Sequence, residues 1–233
     1  MNVNNSNGNK IVGNLVNNNS EIGISLYGSD ENTISKNAVN YNKNMGIFLS
    51  SCGSNAILEN TISYNSNSGV DLFYSHRNTI LRNSINYNSP GIRLRSSDYN
   101  DIKQNFIKRN FIGVEIGSGW RNDIITNCFT NNQILNALDE TANNDWSIWM
   151  NGNFWDDYRG LDENNDGIGD TPYTISGSVV NTDEYPWMTC PLPLEDVDEI
   201  TIEQLIPIYF FPGLLLYTVL ILWFLYPERK LKK

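Results

Sequence analysis

Asparagine recurs at a fixed interval along the first half of the chain, and that interval restricts the fold more than any other feature. Asn9, Asn32, Asn55, Asn78, Asn100 and Asn122 lie 23, 23, 23, 22 and 22 residues apart. Asn14, Asn37, Asn60, Asn83, Asn105 and Asn127 form a second series in the same register, and Asn19, Asn42, Asn65, Asn88, Asn110 and Asn132 a third. Gly23, Gly46, Gly69, Gly91 and Gly113 keep step with them. A period held this strictly from Asn9 to Asn132 marks a stacked-repeat architecture.

The apolar positions choose among such architectures. Ile11, Ile34, Ile57, Ile80, Ile102 and Ile124 share one repeat position, and Val16, Val39, Ile62, Ile85, Ile107 and Phe129 share another. After each glycine comes Ile or Val, and two residues later Leu or Ile, as in Gly46-Ile47-Phe48-Leu49. A spacing of two with β-branched residues is strand periodicity. No stripe at i, i+3, i+4, i+7 appears, so helical repeats are excluded. The pattern predicts a parallel β-helix of six coils with three short strands per 22–23-residue coil. Stacked at about 4.8 Å per coil, six coils span on the order of 29 Å. The asparagines then have a structural role. Asn tolerates left-handed turns, and stacked side-chain amides donate and accept from coil to coil. The glycines are expected to permit a tight corner before the next strand.

The chain has 233 residues and a net charge of -10, which disfavours nucleic acid as a partner. Cys52 and Cys128 lie more than three coils apart, about 15 Å, too far for a disulfide. The three cysteines, Cys190 included, say little about redox compartment. No basic segment followed by an apolar run opens the chain. Projecting the period backwards places Met1 and Val3 inside a strand, so further coils and a signal peptide are expected upstream.

Beyond the coils (1–140), residues 141–190 gather Trp146, Trp149, Phe154, Trp155 and Tyr158. These read as a hydrophobic plug over the open end of the stack, with a sugar-stacking platform as the alternative. Asp162-Glu163-Asn164-Asn165-Asp166-Gly167-Ile168-Gly169-Asp170 matches the first nine positions of a Ca²⁺ loop. Asp162, Asn164, Asp166 and Asp170 would supply side-chain oxygens, and Ile168 a carbonyl. Tyr173 stands where a bidentate Glu is usual, so Asp156, Asp157, Asp183 or Glu184 would complete the site. An acidic linker (191–204) follows. Residues 205–226 contain no charge and reach about 33 Å as a helix, enough to span a bilayer. The basic tail (227–233) puts the C-terminus in the cytoplasm and the coils outside.

Asn78-Thr79-Ile80-Leu81-Arg82-Asn83 and its equivalents resemble the right-handed parallel β-helix repeats of the NosD family. Asn153-Phe154-Trp155-Asp156-Asp157-Tyr158, then Asp166 to Tyr173 and Asp183-Glu184-Tyr185-Pro186, resemble the C-terminal signature of archaeal NosD-like surface proteins. The resemblance covers residues 1 to 188. It implies the fold and a surface location, and the family name implies copper delivery. One His (His76, alone in a turn) and four Met do not form the soft cluster copper needs. The C-terminal span also resembles archaeal sorting signals, in which case it would be cleaved.

Function is expected on the residues that point outward from the Gly-Ile-x-Leu strands. Ser25, Phe48, Asp71, Arg93 and Glu115 occupy one column, and Tyr27, Ser50, Phe73, Arg95 and Gly117 the next. Phe48, Asp71, Phe73, Arg93, Arg95 and Glu115 would suit a groove binding surface polysaccharide or another cell-surface partner without catalysis. The structural alternative is a salt-bridged ladder with Arg93 between Asp71 and Glu115. The catalytic alternative is a polysaccharide lyase or hydrolase using Asp71 and Glu115, two coils or about 9.6 Å apart.

Overall fold

A computed structural model describes residues 1–192. The acidic linker from residue 193, the 205–226 span and the basic tail lie outside the described residues. The described chain winds as a parallel β-solenoid of about seven turns, and no helix occurs in it. Sheet A has seven strands: Asn2–Asn4, Ile24–Tyr27, Ile47–Ser50, Val70–Phe73, Ile92–Arg95, Ile112–Ile116 and Leu135–Asp139. Sheet B has six, from Lys10–Val12 to Asp123–Ile125. Sheet C has six, from Ala38–Asn40 to Phe154–Trp155. Like residues stack on like. Ile34, Ile57, Ile80, Ile102 and Ile124 are register partners on successive coils, and all are fully buried. At about 1.5–3 kcal/mol per buried aliphatic side chain, these columns are the main source of stability.

The three asparagine series form continuous amide ladders, and their geometry sharpens the expected role. Asn83 is representative: its Nδ2 donates to Asn105 Oδ1 (3.0 Å) and to Ile57 O (2.9 Å). Its Oδ1 accepts from Asn60 N (2.9 Å) and Asn60 Nδ2 (3.0 Å). The left-handed turn, however, belongs to the residue before each ladder asparagine. Lys36, Glu59, Arg82, Gln104 and Thr126 have φ between 54° and 59°. Such residues enter this region at a cost of order 1–3 kcal/mol each, and persist only where the surroundings over-determine them. The inward amide that follows, bonded to the coils on both sides, is what holds them there.

Each ladder ends on a carboxylate. Asn144 donates to Asp139 Oδ2 (3.1 Å), ending the first column. Asn153 donates to Asp183 Oδ2 (3.4 Å), ending the second. Asn132 donates to Asn136, whose Nδ2 donates to Asp156 Oδ1 (3.0 Å) and Asp157 Oδ1 (2.8 Å), ending the third.

The repeat glycines are required for closeness rather than for an unusual φ. A Cβ on Gly91 would lie 2.6 Å from Gly113 O and 2.9 Å from Asn110 Nδ2. The backbones approach so closely there that no side chain fits.

The aromatic segment divides in two. Trp146 and Trp155 are fully buried at the end of the core. Trp155 stacks on Phe129 (4.4 Å) and on Tyr173 (4.2 Å). Trp149, by contrast, is 90% exposed and takes no part in the plug. The last sheet A strand is complete but shifted by one residue. Val114 pairs with Ala137 and Ile116 with Asp139, so Ile134 is exposed and a carboxylate enters the core row. Asp139 is satisfied there by Trp146 Nε1 (3.0 Å), Thr141 Oγ1 (2.8 Å) and Asn144. Cys128, on the last full coil of sheet C, forms a disulfide with Cys190, with a Cα–Cα distance of 5.6 Å. The cysteines are therefore informative: a disulfide belongs to an oxidising compartment.

Candidate functional site on the outer face of sheet A

The strand alternation that buries Val70 and Leu72 turns Asp71 away from the core. Asp71 nevertheless has no exposed surface. Arg95 lies over it, with Nη2 donating to Asp71 Oδ1 at 2.8 Å, and Ser68 Oγ donates to Oδ2 at 3.3 Å. Burial pushes the Asp71 carboxyl above its usual range, against the opposing pull of Arg95, Arg93 and Ser68.

The expected ladder with Arg93 bridging two carboxylates is replaced by two separate pairs. Arg93 Nη2 donates to Glu115 Oε2 at 3.2 Å, and Asp71 is taken by Arg95 instead. The reason is reach. Arg95 lies two positions along the next strand and projects diagonally back across the coil, while Arg93 leans toward the following coil. Arg93 Nε is buried and has no hydrogen-bond partner among the described residues. Such a donor is left at a cost of about 1–3 kcal/mol.

The aromatic members join this arrangement. The Arg95 guanidinium sits over the Phe73 ring at 4.8 Å, and Phe48 packs edge-on to Tyr27 at 5.6 Å. All six expected residues thus share one face and run over four coils. Ser68 and Asn67 were not among them. Asn67 Oδ1 accepts from Arg93 Nη1 (3.5 Å) and from Ser68 N (2.9 Å). Ser68 breaks a column that otherwise reads Ile22, Met45, Pro90 and Ile112, and that polar interruption is the signal that could have found it.

Charge is divided along the chain. Residues 77–121 hold eight Lys or Arg against three Asp or Glu, whereas residues 133–192 hold eleven Asp or Glu and only Arg159. The acidic character of the whole chain therefore does not describe the coils.

In the Asp162–Asp170 loop the oxygens close on the loop's own backbone. Asp162 accepts from Asp166 N (3.1 Å) and Gly167 N (3.0 Å), Asp166 from Ile168 N (2.8 Å), and Asp170 from Glu163 N (2.7 Å). The residues expected to complete a calcium site are engaged elsewhere. Asp183 accepts from Trp155 Nε1 (2.9 Å) and Asn153 N (2.7 Å), Asp156 and Asp157 hold Asn136, and Glu184 accepts from Thr182 Oγ1.

An all-β parallel β-solenoid is the class that this geometry defines. The family model described as "Periplasmic copper-binding protein (NosD)" matches residues 1–160, and the chain belongs to that family. A relative described as "Probable ABC transporter binding protein NosD", from Stutzerimonas stutzeri, is 37% identical over 62 residues, 27% of this chain and 14% of that protein. A double mutant of the periplasmic alginate epimerase AlgG superposes with a TM-score of 0.55 at 22% identity, covering 71% of this chain and 36% of that one. A single mutant of AlgG gives a TM-score of 0.52 with the same identity and coverage. At such identities the likeness concerns the fold alone. The chain spans only about a third of the length of those structures.

The family description names copper, and the donors present can be tested against it. Cys128 is consumed by the disulfide, and the buried Cys52 Sγ donates to Ser50 O (3.2 Å). His76 is not alone in its turn: its Nδ1 accepts from Asp98 N (3.1 Å) and lies 3.2 Å from Asp98 Oδ2. Among the described residues no three His, Cys, Asp or Glu side chains converge to hold a metal. This donor set does not fit a copper ion.

Proposed function

We propose that this chain is an extracytoplasmic glycan-binding solenoid that lays an acidic polysaccharide along the outer face of sheet A without cleaving it. It is held at the membrane by residues 205–226. The observation that carries the reading is the continuous patch of Phe48, Phe73, Arg93, Arg95 and Glu115 built over a fully buried carboxylate off the core. Arg93 and Arg95 present guanidinium donors on this face, which suit the carboxylates of a polyanion. The similar solenoid of AlgG, described as an alginate epimerase, lends support from the fold. The Cys128–Cys190 disulfide and a family described as periplasmic support the location.

Binding is favoured over catalysis because a general acid or nucleophile must touch its substrate. Asp71 has no exposed surface and is engaged by Arg95. Glu115 is engaged by Arg93. The test is titration of the full chain with alginate oligomers, followed by calorimetry and by a reducing-end assay. Arg93→Gln combined with Glu115→Gln removes a pair without leaving a buried charge, and is expected to weaken binding about tenfold. Release of reducing ends, or undiminished binding by that variant, would overturn the proposal.

A further inference from the structure

Around the corner from sheet A, the turns that lead into sheet B stack as columns. One column runs Asp30, Gly53, His76, Asp98, Trp120, and the next Glu31, Ser54, Arg77, Tyr99, Arg121. On one coil these columns collapse. Ser51, Cys52, Gly53 and Ser54 present only small side chains between taller neighbours on both sides. The result is a groove of about 400 Å³, walled by Asp30 and Glu31 on one coil and by Tyr74, His76 and Arg77 two coils away. Two coil spacings make the walls about 9.6 Å apart, which leaves room for a sugar ring between them.

The walls are chemically complementary. Asp30 Oδ1 accepts from Gly53 N (2.6 Å), which leaves Oδ2 for another donor. Glu31 and Arg77 occupy the same column with Ser54 between them, and among the described residues no ion pair joins them. Arg77 only stacks on Tyr99, at 5.7 Å. Asp98 engages His76 Nδ1 and so fixes the ring, leaving Nε2 for the groove. Tyr74 is 53% exposed and gives an apolar body with a hydroxyl tip. Carboxylates that accept, a guanidinium that donates, and an aromatic ring are the groups that meet the hydroxyls and C–H surface of a carbohydrate.

We propose that this groove is a second saccharide subsite, specific for neutral sugars, since Asp30 and Glu31 repel an anionic one. Phe73 and Tyr74 are in edge contact at 4.4 Å, so the subsite adjoins the sheet A face without sharing its charged pairs. The inference does not rest on the acidic-glycan reading.

Gly53→Leu gives a clean test. A Cβ at Gly53 meets nothing closer than 3.5 Å, and the backbone there has no left-handed φ, so the side chain fills the groove and spares the coil. The full chain is titrated with maltose, cellobiose and lactose by ligand-observed NMR. Binding of at least one of them in the millimolar range is expected. It should be lost in Gly53→Leu and weakened about tenfold in Arg77→Ala, with alginate binding unchanged in both. The Arg93→Gln/Glu115→Gln variant should show the converse. Absence of binding by all three sugars, or its survival in both groove variants, would overturn the proposal. Arg77→Ala decides the matter if Gly53→Leu fails to fold.

Discussion

Removing one asparagine from the middle of a ladder should destabilise the solenoid far more than removing one from its end. In Asn83→Ala the buried Asn60 N–H loses its acceptor (2.9 Å), and Ile57 O loses a donor (2.9 Å). Asn60 Nδ2 keeps Ile34 O, and Asn105 Oδ1 keeps Asn83 N, so neither is orphaned. One buried N–H without a partner costs about 1–3 kcal/mol, and the weakened carbonyl and small cavity add to it. The expected loss is about 3 kcal/mol. At the end rung the ledger differs. Asn14 Nδ2 donates to Asn37 Oδ1 and Val12 O, but Asn37 Oδ1 still accepts from Asn14 N after truncation. No buried group is stranded, and Asn14→Ala should cost less than about 1 kcal/mol. Urea denaturation of the full chain, with slopes as well as midpoints compared, measures both. Equal losses at the two rungs, or a loss below about 1 kcal/mol for Asn83→Ala, would refute the view that the ladders satisfy buried backbone.

Other expectations follow from the same geometry. Gly91→Ala places a Cβ 2.6 Å from Gly113 O and should cost at least about 2 kcal/mol in thermal or urea melts, whereas Gly53→Ala should be tolerated. Reduction of the Cys128–Cys190 bond, or Cys190→Ser, frees a 62-residue loop and should remove about 4 kcal/mol, seen as a lower Tm with reductant. Burial pushes the Asp183 carboxyl up to about 6 from 3.8, outweighing the hydrogen bonds from Trp155 and Asn153. The folded state then binds the proton more tightly than the unfolded one. Its contribution of up to about 3 kcal/mol is present at low pH and lost as pH rises from about 4 to 6. Asp183→Asn should flatten that part of the stability profile. The calcium proposal for Asp162, Asn164, Asp166, Ile168 and Asp170 predicts a higher Tm with added Ca²⁺, abolished by Asp162→Ala; no shift at millimolar Ca²⁺ would remove it.

The coils were legible because a solenoid repeats each physical requirement once per turn. A column such as Ile34, Ile57 and Ile80 can be read from sequence alone, together with its register. What escaped depended on single side chains. The left-handed residues escaped because Lys36, Glu59 and Thr126 share no chemistry, only a place before an inward amide. The glycines were visible, but their reason was not, since close approach of carbonyls leaves no trace in local propensity. Asp71 lies on the face that strand alternation predicts, but its partner is Arg95 rather than Arg93, because strand spacing alone does not say which way an arginine leans. The Cys128–Cys190 bond joins a coil to a segment with no period, so no register could bring the two together. The one-residue shift that puts Asp139 in the core row was hidden because Ile134, Leu135 and Leu138 still look like a coil.

The amide ladders have one further consequence. In every column the side-chain amide chain runs one way: one N–H of each amide points to the oxygen of the next rung toward the cap, as in Asn60 to Asn83 to Asn105, while the other donates to a main-chain carbonyl of the preceding coil. Three parallel files of aligned amides make the solenoid an electric dipole along its own axis, much as aligned peptides do in an α-helix. The positive pole lies where each file meets its carboxylate: Asp139, Asp183, and the Asp156–Asp157 pair. The coils therefore have an electrical direction as well as a chain direction, and a replacement cap would have to supply negative charge at those three points.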